Sequence, residues 1–214
     1  MTLKLFYSPG SCSLAPHIAL EETGAAYERV KVALASGEQK TPAYLAINPK
    51  GRVPVLAEDD HVVTENPAIL RAIARRFPAA RLWPDDDIWA EAACLEWCAW
   101  LSNTIHVHYA HVRRSERYAD DETAKAEVQR KGKEVCRQLW ADVDARLKGR
   151  TWAIGERYSV ADPYLLVFWT WGRGPVLGFD MAKDYPNWTA HARRMAQRPA
   201  VQRVFAREEL ALPG

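Results

Sequence analysis

The spacing of hydrophobic and polar positions changes along the chain and predicts two different kinds of structure. Short apolar runs and helical stretches alternate in the first part: LKLFY, a helix from about Ser13 to Glu22, YERVKV, and two β runs around an acidic turn in VPVLAEDDHVVT. The helical stretch PAILRAIARRF follows and should stop before Pro78, because a proline disfavours helix at the residue before it. After residue 87, apolar residues recur at helical spacing almost throughout, for example in IWAEAACLEWCAWLSNTI. We therefore predict a small α/β domain followed by an all-helical domain.

The order of the predicted elements indicates a four-stranded mixed sheet with helices on both faces. The first two strands are joined through a helix, so they should pair in parallel by the usual right-handed crossover. The predicted boundaries are residues 1–80 for the α/β domain, 81–87 for a linker and 88–214 for the helical domain. Ligands of such sheets tend to bind beyond the carboxyl ends of the strands, and residues 8–13 are expected there.

Composition and charge exclude several classes of protein. The 29 lysine and arginine residues nearly balance the 27 acidic residues, and a net charge of +2 does not favour a nucleic-acid or anionic-membrane surface. No apolar run approaches the roughly 18 residues that span a bilayer, and Pro9 and Gly10 interrupt the only run that could begin a secretory signal. The four cysteines lack the spacing of a disulfide framework or a zinc site. We expect a reduced, cytoplasmic protein without bound metal, whose partners are small molecules or proteins.

The segment SPGSCSLAPH places one cysteine where the first strand ends and a helix begins. Pro16 is tolerated in a first helical turn, so a helix start near Ser13 puts Cys12 among free backbone N–H groups. Such a position lowers the pKa of a cysteine below its free value of about 8.5 and stabilises a thiolate, its own or a ligand's. The alternative is a small buried cysteine without reactivity. Because no second cysteine stands at the C-x-x-C spacing, a functional Cys12 would act as a single thiol.

Two further motifs place polar groups beside predicted strand and helix ends. In INPKGRVPVL a turn leads into a strand, and the Val53–Pro54 bond beside a ligand site is a candidate cis peptide. In TENPAIL, Pro67 suits the first turn of a helix. Either Asn66 caps this helix and Glu65 is solvated, or the helix end holds a substrate carboxylate and Glu65 binds an ammonium group.

The motifs FYSPGSCSLAPHIALEE, NPKGRVPVL, TENPAI and YSVADPYLL occur in this order and are spread over nearly the whole chain. In this combination the sequence resembles the cytosolic glutathione transferases, most of all the bacterial beta class. The resemblance implies the glutathione transferase fold, with a thioredoxin-like N-terminal domain that binds glutathione as co-substrate and an all-α C-terminal domain that holds the electrophile. It also implies a two-fold homodimer, for which the tryptophan-rich helix from Ile88 offers apolar surface.

The resemblance implies a role for individual residues. Cys12 matches the beta-class cysteine that lies against the glutathione sulfur and can form a mixed disulfide with it. The other residues implied near the sulfur are Tyr7, Ser13 and His106. The residues implied to bind glutathione are Ser11, Arg52, Val53, Pro54, Glu65 and Asn66. Trp171 matches a family tryptophan and is expected in the electrophile pocket, whereas Trp169 in the same segment, FWTWGRG, could line the pocket or fill the core.

The sequence departs from the family pattern at three positions. Asn66 stands where serine or glycine usually follows the glutamate, and Arg52 stands where glutamine is common. Ala99 replaces the beta-class asparagine that reaches across the dimer. These changes suggest an altered affinity for glutathione.

Other clusters allow a structural as well as a functional interpretation. In IHVHYAHV, His106 and His108 point about 200° apart on a helix, so a shared metal ion is disfavoured, and His106 either contacts the ligand or packs in the core. Cys94 and Cys98, one helical turn apart beside tryptophans, are interpreted as core filling. Ser159 and Asp162 have capping-box spacing, which predicts that the Asp162 side chain supports folding rather than catalysis.

Two classes of function remain open. In the first, the enzyme activates the glutathione thiolate for conjugation to small electrophiles or for thiol–disulfide exchange through Cys12. A glutathione-dependent isomerase, dehalogenase or peroxidase is a close variant. In the second, the protein has the transferase fold but binds apolar ligands or partners without turnover.

Overall fold

The computed structural model describes residues 2–214 and contains the predicted four-stranded mixed sheet. The strands are β1 (Leu3–Tyr7), β2 (Glu28–Lys31), β3 (Val55–Glu58) and β4 (His61–Thr64). Their order in the sheet is β2-β1-β3-β4; β1 and β2 are parallel, and the other two pairs are antiparallel. The predicted hairpin is confirmed, since β3 and β4 pair around the turn at Asp59 and Asp60. The predicted parallel pairing of the first two strands is confirmed as well.

The helices fall into two groups, one packed with the sheet and one that comes later in the chain. Those packed with the sheet are α1 (Leu14–Thr23), α2 (Pro42–Ile47) and α3 (Asn66–Arg76). The later helices are α4 (Ile88–Trp100), α5 (His106–Arg113), α6 (Glu122–Leu147), α7 (Ala161–Arg173), α8 (Met181–Asp184), α9 (Pro186–Ala196) and α10 (Pro199–Arg207). Sequence spacing did not predict α2, whose six residues are too few to show a helical period; its start is fixed by Thr41 Oγ1, which accepts the Tyr44 N–H at 3.3 Å. No helix within residues 2–214 is long and apolar enough to cross a membrane.

Helix α1 lies between the sheet domain and the helical domain. All residues from 14 to 20 are buried, because one side of α1 packs on α3 and another on α7 and α10. The helix ends at Gly24, whose φ of 68° lies in the left-handed region that glycine adopts without strain. One continuous apolar core therefore joins the two domains and fixes the start of α1 between them.

A π-helical turn, Leu101–Ile105, connects α4 to α5. The apolar spacing predicted an uninterrupted helix here, but the five-residue hydrogen-bonding step inserts one extra residue into the turn. His106 is the first residue after this turn. Such insertions recur at functional sites, and this one directly precedes a predicted site residue.

The start of α7 contains the predicted reciprocal cap. The Ser159 backbone N–H donates to Asp162 Oδ2 at 2.7 Å, and Ser159 Oγ accepts the Ala161 N–H at 3.3 Å. Asp162 Oδ1 also accepts the Ala153 N–H at 2.7 Å and lies 2.8 Å from His191 Nε2. Asp162 is completely buried. Its carboxylate thus joins three chain segments in the core of the helical domain.

Candidate active site

Two adjoining cavities lie between the carboxyl end of β1 and the helical domain. The first cavity, about 370 Å³, extends from Cys12 toward Glu65 and Asn66. The second cavity, about 650 Å³, extends from Cys12 toward Trp171 and the end of α5. The residues that line both are Cys12, Arg52, Val53, His106, Ala110 and Arg117. Cys12 therefore stands where two binding spaces meet.

The loop that presents Cys12 is held by its own hydrogen bonds. Ser13 Oγ accepts the Ser8 N–H and donates to the Ser8 carbonyl, both at 3.1 Å. The Ser11 N–H also donates to the Ser8 carbonyl at 3.1 Å, and the hydroxyls of Ser11 and Ser13 are 2.7 Å apart. These bonds fix the conformation of the loop, in which Ser13 is enclosed and Cys12 lines both cavities.

The electrostatics of Cys12 differ from the sequence-based expectation. The expectation of a lowered pKa is wrong, because burial raises the pKa of the thiol to about 12. Backbone hydrogen bonding and the Asn66 amide act in the opposite direction but do not outweigh the loss of solvation. Cys12 Sγ donates instead to the Val53 carbonyl, 3.6 Å away. At neutral pH Cys12 is thus a neutral thiol and a hydrogen-bond donor.

His106 is also neutral at physiological pH. Burial lowers its pKa to about 4, with further contributions from the positive charges of Arg52 and Arg117. Its ring makes edge-to-face contacts with Phe168 and Trp171, at centroid distances of 5.8 and 5.0 Å. His106 can therefore donate or accept a hydrogen bond in the cleft without contributing a charge.

Glu65 and Asn66 form the far end of the first cavity. Glu65 has φ 71° and ψ 124°, which a residue with a side chain adopts at a cost of about 1–3 kcal/mol. Its carboxylate accepts a hydrogen bond from Lys50 Nζ at 2.7 Å. The interpretation of Asn66 as a helix cap is wrong: Asn66 is the first residue of α3, and its Nδ2 donates to the Cys12 carbonyl at 3.0 Å. Within residues 2–214, the buried Oδ1 of Asn66 has no partner.

Trp171 connects the helical domain to the cysteine loop. Its Nε1 donates to the Gly10 carbonyl at 2.9 Å, and its ring stacks on Tyr109 with a centroid distance of 4.4 Å. Both aromatic rings line the second cavity. Trp169 is buried and its Nε1 donates to Thr189 Oγ1, so Trp169 fills the core.

The structure brings most of the predicted site residues together, with two exceptions. Tyr7 is buried with its ring 5.1 Å from that of His17, and Ser13 is enclosed in the loop; neither lines the two cavities. Cys94 and Cys98 are completely buried, which confirms their interpretation as core residues. In the part of the chain that the structure describes, no three histidine, cysteine or acidic side chains are grouped to hold a metal ion.

Sequence reasoning missed several residues of the cleft. These are Ser102, Asn103, Tyr109, Arg113, Arg114, Arg117 and Tyr164. The run VRRSERY begins six residues after His106, and its three arginines could have indicated a positively charged part of the site. Tyr164 gave no such signal, because an aromatic residue in an apolar helix is usually core.

Two family models match the chain. The one described as glutathione S-transferase, N-terminal domain, matches residues 1–75, and the one described as glutathione S-transferase, C-terminal domain, matches residues 102–199. Glutathione S-transferase GST-4.5 of Xanthomonas campestris pv. campestris is 34% identical over 79% of this chain and 82% of its own length.

Solved structures agree with the family models. A glutathione transferase homologue from Sulfitobacter, crystallised with bound glutathione, has a TM-score of 0.91 and 37% identity, covering 98% of this chain and 99% of its own. The beta class glutathione S-transferase of Sphingomonas chungbukensis has a TM-score of 0.82 and 36% identity, covering 97% of this chain and 100% of its own. Both solved structures match this chain over its sheet domain and its helical domain together. The chain belongs to the glutathione S-transferase family and is a glutathione transferase, as its sequence motifs predicted.

Proposed function

We propose that glutathione binds with its γ-glutamyl group in the first cavity and its sulfur beside Cys12, and that its thiolate attacks an electrophile in the second cavity. The observation that carries this proposal is the position of Cys12 at the junction of the two cavities. Glu65 is the acidic residue at the far end of the first cavity, and its carboxylate already binds the Lys50 ammonium group. The γ-glutamyl ammonium group of glutathione can take a similar position.

Each group at the junction has a role that follows from its charge. The neutral Cys12 thiol donates a hydrogen bond to the glutathione thiolate, in place of its present bond to the Val53 carbonyl. The guanidinium groups of Arg52 and Arg117 provide positive potential at the same place. His106, with a pKa of about 4, is a poor proton acceptor, so the thiol proton of glutathione passes to water while His106 orients the sulfur. The thiolate then forms a C–S bond, and the leaving group departs with the electron pair.

Exchange with disulfides through Cys12 is a second candidate reaction. Cys12 lines both cavities, whereas the other three free cysteines are buried and line neither. In this reaction the Cys12 thiolate attacks oxidised glutathione, forms a mixed disulfide and releases one glutathione thiolate. Because the pKa of Cys12 is raised to about 12, this exchange is expected to be slow at neutral pH and to accelerate in alkaline solution.

Replacement of Cys12 separates the two reactions. Cys12→Ala should abolish the mixed disulfide but retain conjugation of an aryl halide at a rate reduced by about tenfold, the effect of one lost hydrogen bond to a charged sulfur. Cys136→Ala, at a buried cysteine outside both cavities, is the control for the loss of a thiol. Complete loss of conjugation in a folded Cys12→Ala protein would contradict the donor role and favour a covalent one.

We also propose the organisation of the protein in the cell. Residues 1–80 form the glutathione-binding domain, 81–87 the linker and 88–214 the electrophile-binding domain of a cytoplasmic homodimer. Ile88 and Trp89, at the start of α4, are 76% and 80% exposed in the single chain, which is a high value for large apolar side chains. Sedimentation at micromolar concentration should give a dimer, and Trp89→Glu should shift it to monomer. A monomeric wild-type protein would contradict this proposal.

A further inference from the structure

The second cavity has a one-sided charge. Arg113 and Arg114 lie at the end of α5, and Arg117 is the last residue of the 3₁₀ turn that follows, Ser115–Arg117. All three line this cavity together with Arg52 from the sheet domain. Among the described residues that line this cavity there is no aspartate or glutamate. A cleft with charge of a single sign concentrates ligands of the opposite sign.

These arginines lack the partners that other arginines of the chain have. Arg146 pairs with Glu96, Arg198 with Glu22 and Arg203 with Glu21. Within residues 2–214, the side chains of Arg52, Arg113 and Arg117 form no ion pair, and Arg114 reaches only the exposed Glu116, at 3.9 Å. The pKa of Arg117 is lowered, first by burial and then by the charges of Arg52 and Arg114. The cluster therefore carries mutual repulsion that a bound anion would relieve.

The cavity also has an apolar aromatic wall. The stacked rings of Tyr109 and Trp171 face the same space as the three arginines of the α5 end. A flat aromatic ligand can pack against such a wall, while an acidic substituent on its ring takes the paired N–H donors of a guanidinium group.

We propose that the electrophiles of this enzyme are aromatic compounds that carry an anionic group, a carboxylate or a sulfonate. The proposal rests on the function proposed above and defines its substrate class. The glycyl carboxylate and the thiolate of glutathione supply two negative charges near Cys12, so they cannot neutralise all four arginines. The remaining arginines line the second cavity, where the electrophile is proposed to bind. A neutral aryl halide bound there would leave them without a negatively charged partner.

Two aryl chlorides that differ in one acidic group test the proposal. The neutral one is 2-chloro-1,3-dinitrobenzene and the anionic one is 4-chloro-3,5-dinitrobenzoate, the same ring with a carboxylate opposite the chlorine; in both, glutathione forms a C–S bond and chloride leaves. The quantity measured is kcat/KM for the aryl chloride at saturating glutathione, divided by the rate constant of the uncatalysed reaction. We expect this ratio to be at least about tenfold higher for the benzoate than for the neutral compound. The difference between the two compounds should shrink as the salt concentration rises. Equal ratios for the two compounds would overturn the proposal.

Variants identify the arginines that act on the anion. Arg113→Gln and Arg114→Gln should each lower the preference for the benzoate by about tenfold, the worth of one charge-assisted hydrogen bond. Arg130→Gln, at an exposed arginine on α6 paired with Glu127, removes the same charge far from the cleft and should leave the preference unchanged. A rise in KM for glutathione in Arg113→Gln and Arg114→Gln, with equal losses for both aryl chlorides, would assign these arginines to glutathione and overturn the proposal.

A binding measurement separates this proposal from the function on which it rests. Calorimetric titration with 3,5-dinitrobenzoate and 1,3-dinitrobenzene, which lack a leaving group, requires no turnover. Tighter, salt-sensitive binding of the benzoate supports the anionic site whether or not the aryl chlorides are conjugated. If neither aryl chloride is conjugated, that result contradicts the proposed conjugation and not the anionic site. Equal affinities would overturn the anionic site even if conjugation occurs.

Discussion

Replacement of Asp162 by alanine should destabilise the protein by more than the loss of a simple helix cap, which is all that the sequence predicts. A helix cap at the surface is worth about 1 kcal/mol. Here the buried carboxylate accepts the backbone N–H groups of Ser159 and Ala153 and lies 2.8 Å from His191 Nε2. Each buried donor left without a partner costs about 1–3 kcal/mol, so for three such groups we expect Asp162→Ala to lower the free energy of unfolding by about 3–9 kcal/mol. That is a large part of the 5–15 kcal/mol by which domains are typically stable.

The assay is guanidinium unfolding followed by tryptophan fluorescence, at one fixed protein concentration because a dimer's stability depends on concentration. Asp162→Asn keeps one oxygen acceptor and should therefore lose less stability than Asp162→Ala. If Asp162→Ala does not fold, Asp162→Asn should still fold and can be measured in its place. Asp142→Ala, at a solvent-exposed carboxylate on α6, is the control and should change stability by less than about 0.5 kcal/mol. A folded Asp162→Ala protein with unchanged unfolding but lost turnover would refute the structural role and indicate a catalytic one.

Three further predictions concern the cleft. Glu65→Gln should raise KM for glutathione by about tenfold, because the ammonium group loses its carboxylate partner, while Glu116→Gln should not. Trp171→Phe removes the donor to the Gly10 carbonyl and should cost about 1 kcal/mol of stability, measured by unfolding; an unchanged value would show that the bond contributes nothing. His106 has a pKa of about 4 in the folded protein, below its value of about 6.5 when unfolded, so its neutral form stabilises the fold above pH 6.5 and this contribution is lost as the pH falls toward 4. His106→Asn should therefore flatten the fall in stability between pH 6.5 and 4, and an unchanged slope would contradict the low pKa.

The sequence predicted features that depend on local order. The alternation of strand and helix signals gave the mixed sheet, and Ser159 with Asp162 gave the reciprocal cap. These predictions succeeded because spacing along one element determines which face it buries and which backbone groups its ends expose.

Properties that depend on several elements at once were not predictable. The helix N-terminus near Cys12 suggested a low pKa, but the atoms that bury its sulfur come from distant segments and reverse the effect. Asn66 is suited to capping its own helix, yet in the fold its amide reaches the Cys12 carbonyl instead. The sequence could not show that the arginines at the end of α5 line a cavity, because Arg52 and Trp171, which line the same cavity, come from distant segments.

The site at which glutathione becomes attached to the protein tests the role of Cys12 most directly. The protein is incubated with oxidised glutathione at pH 7 and pH 9, its intact mass is recorded, and the adduct is located by peptide mapping. We predict one glutathionyl group per chain, attached to Cys12, with a rate that rises about tenfold per pH unit because the thiolate fraction of a high-pKa thiol rises in that proportion. An adduct found only on Cys94, Cys98 or Cys136 would contradict the claim that the glutathione sulfur binds beside Cys12.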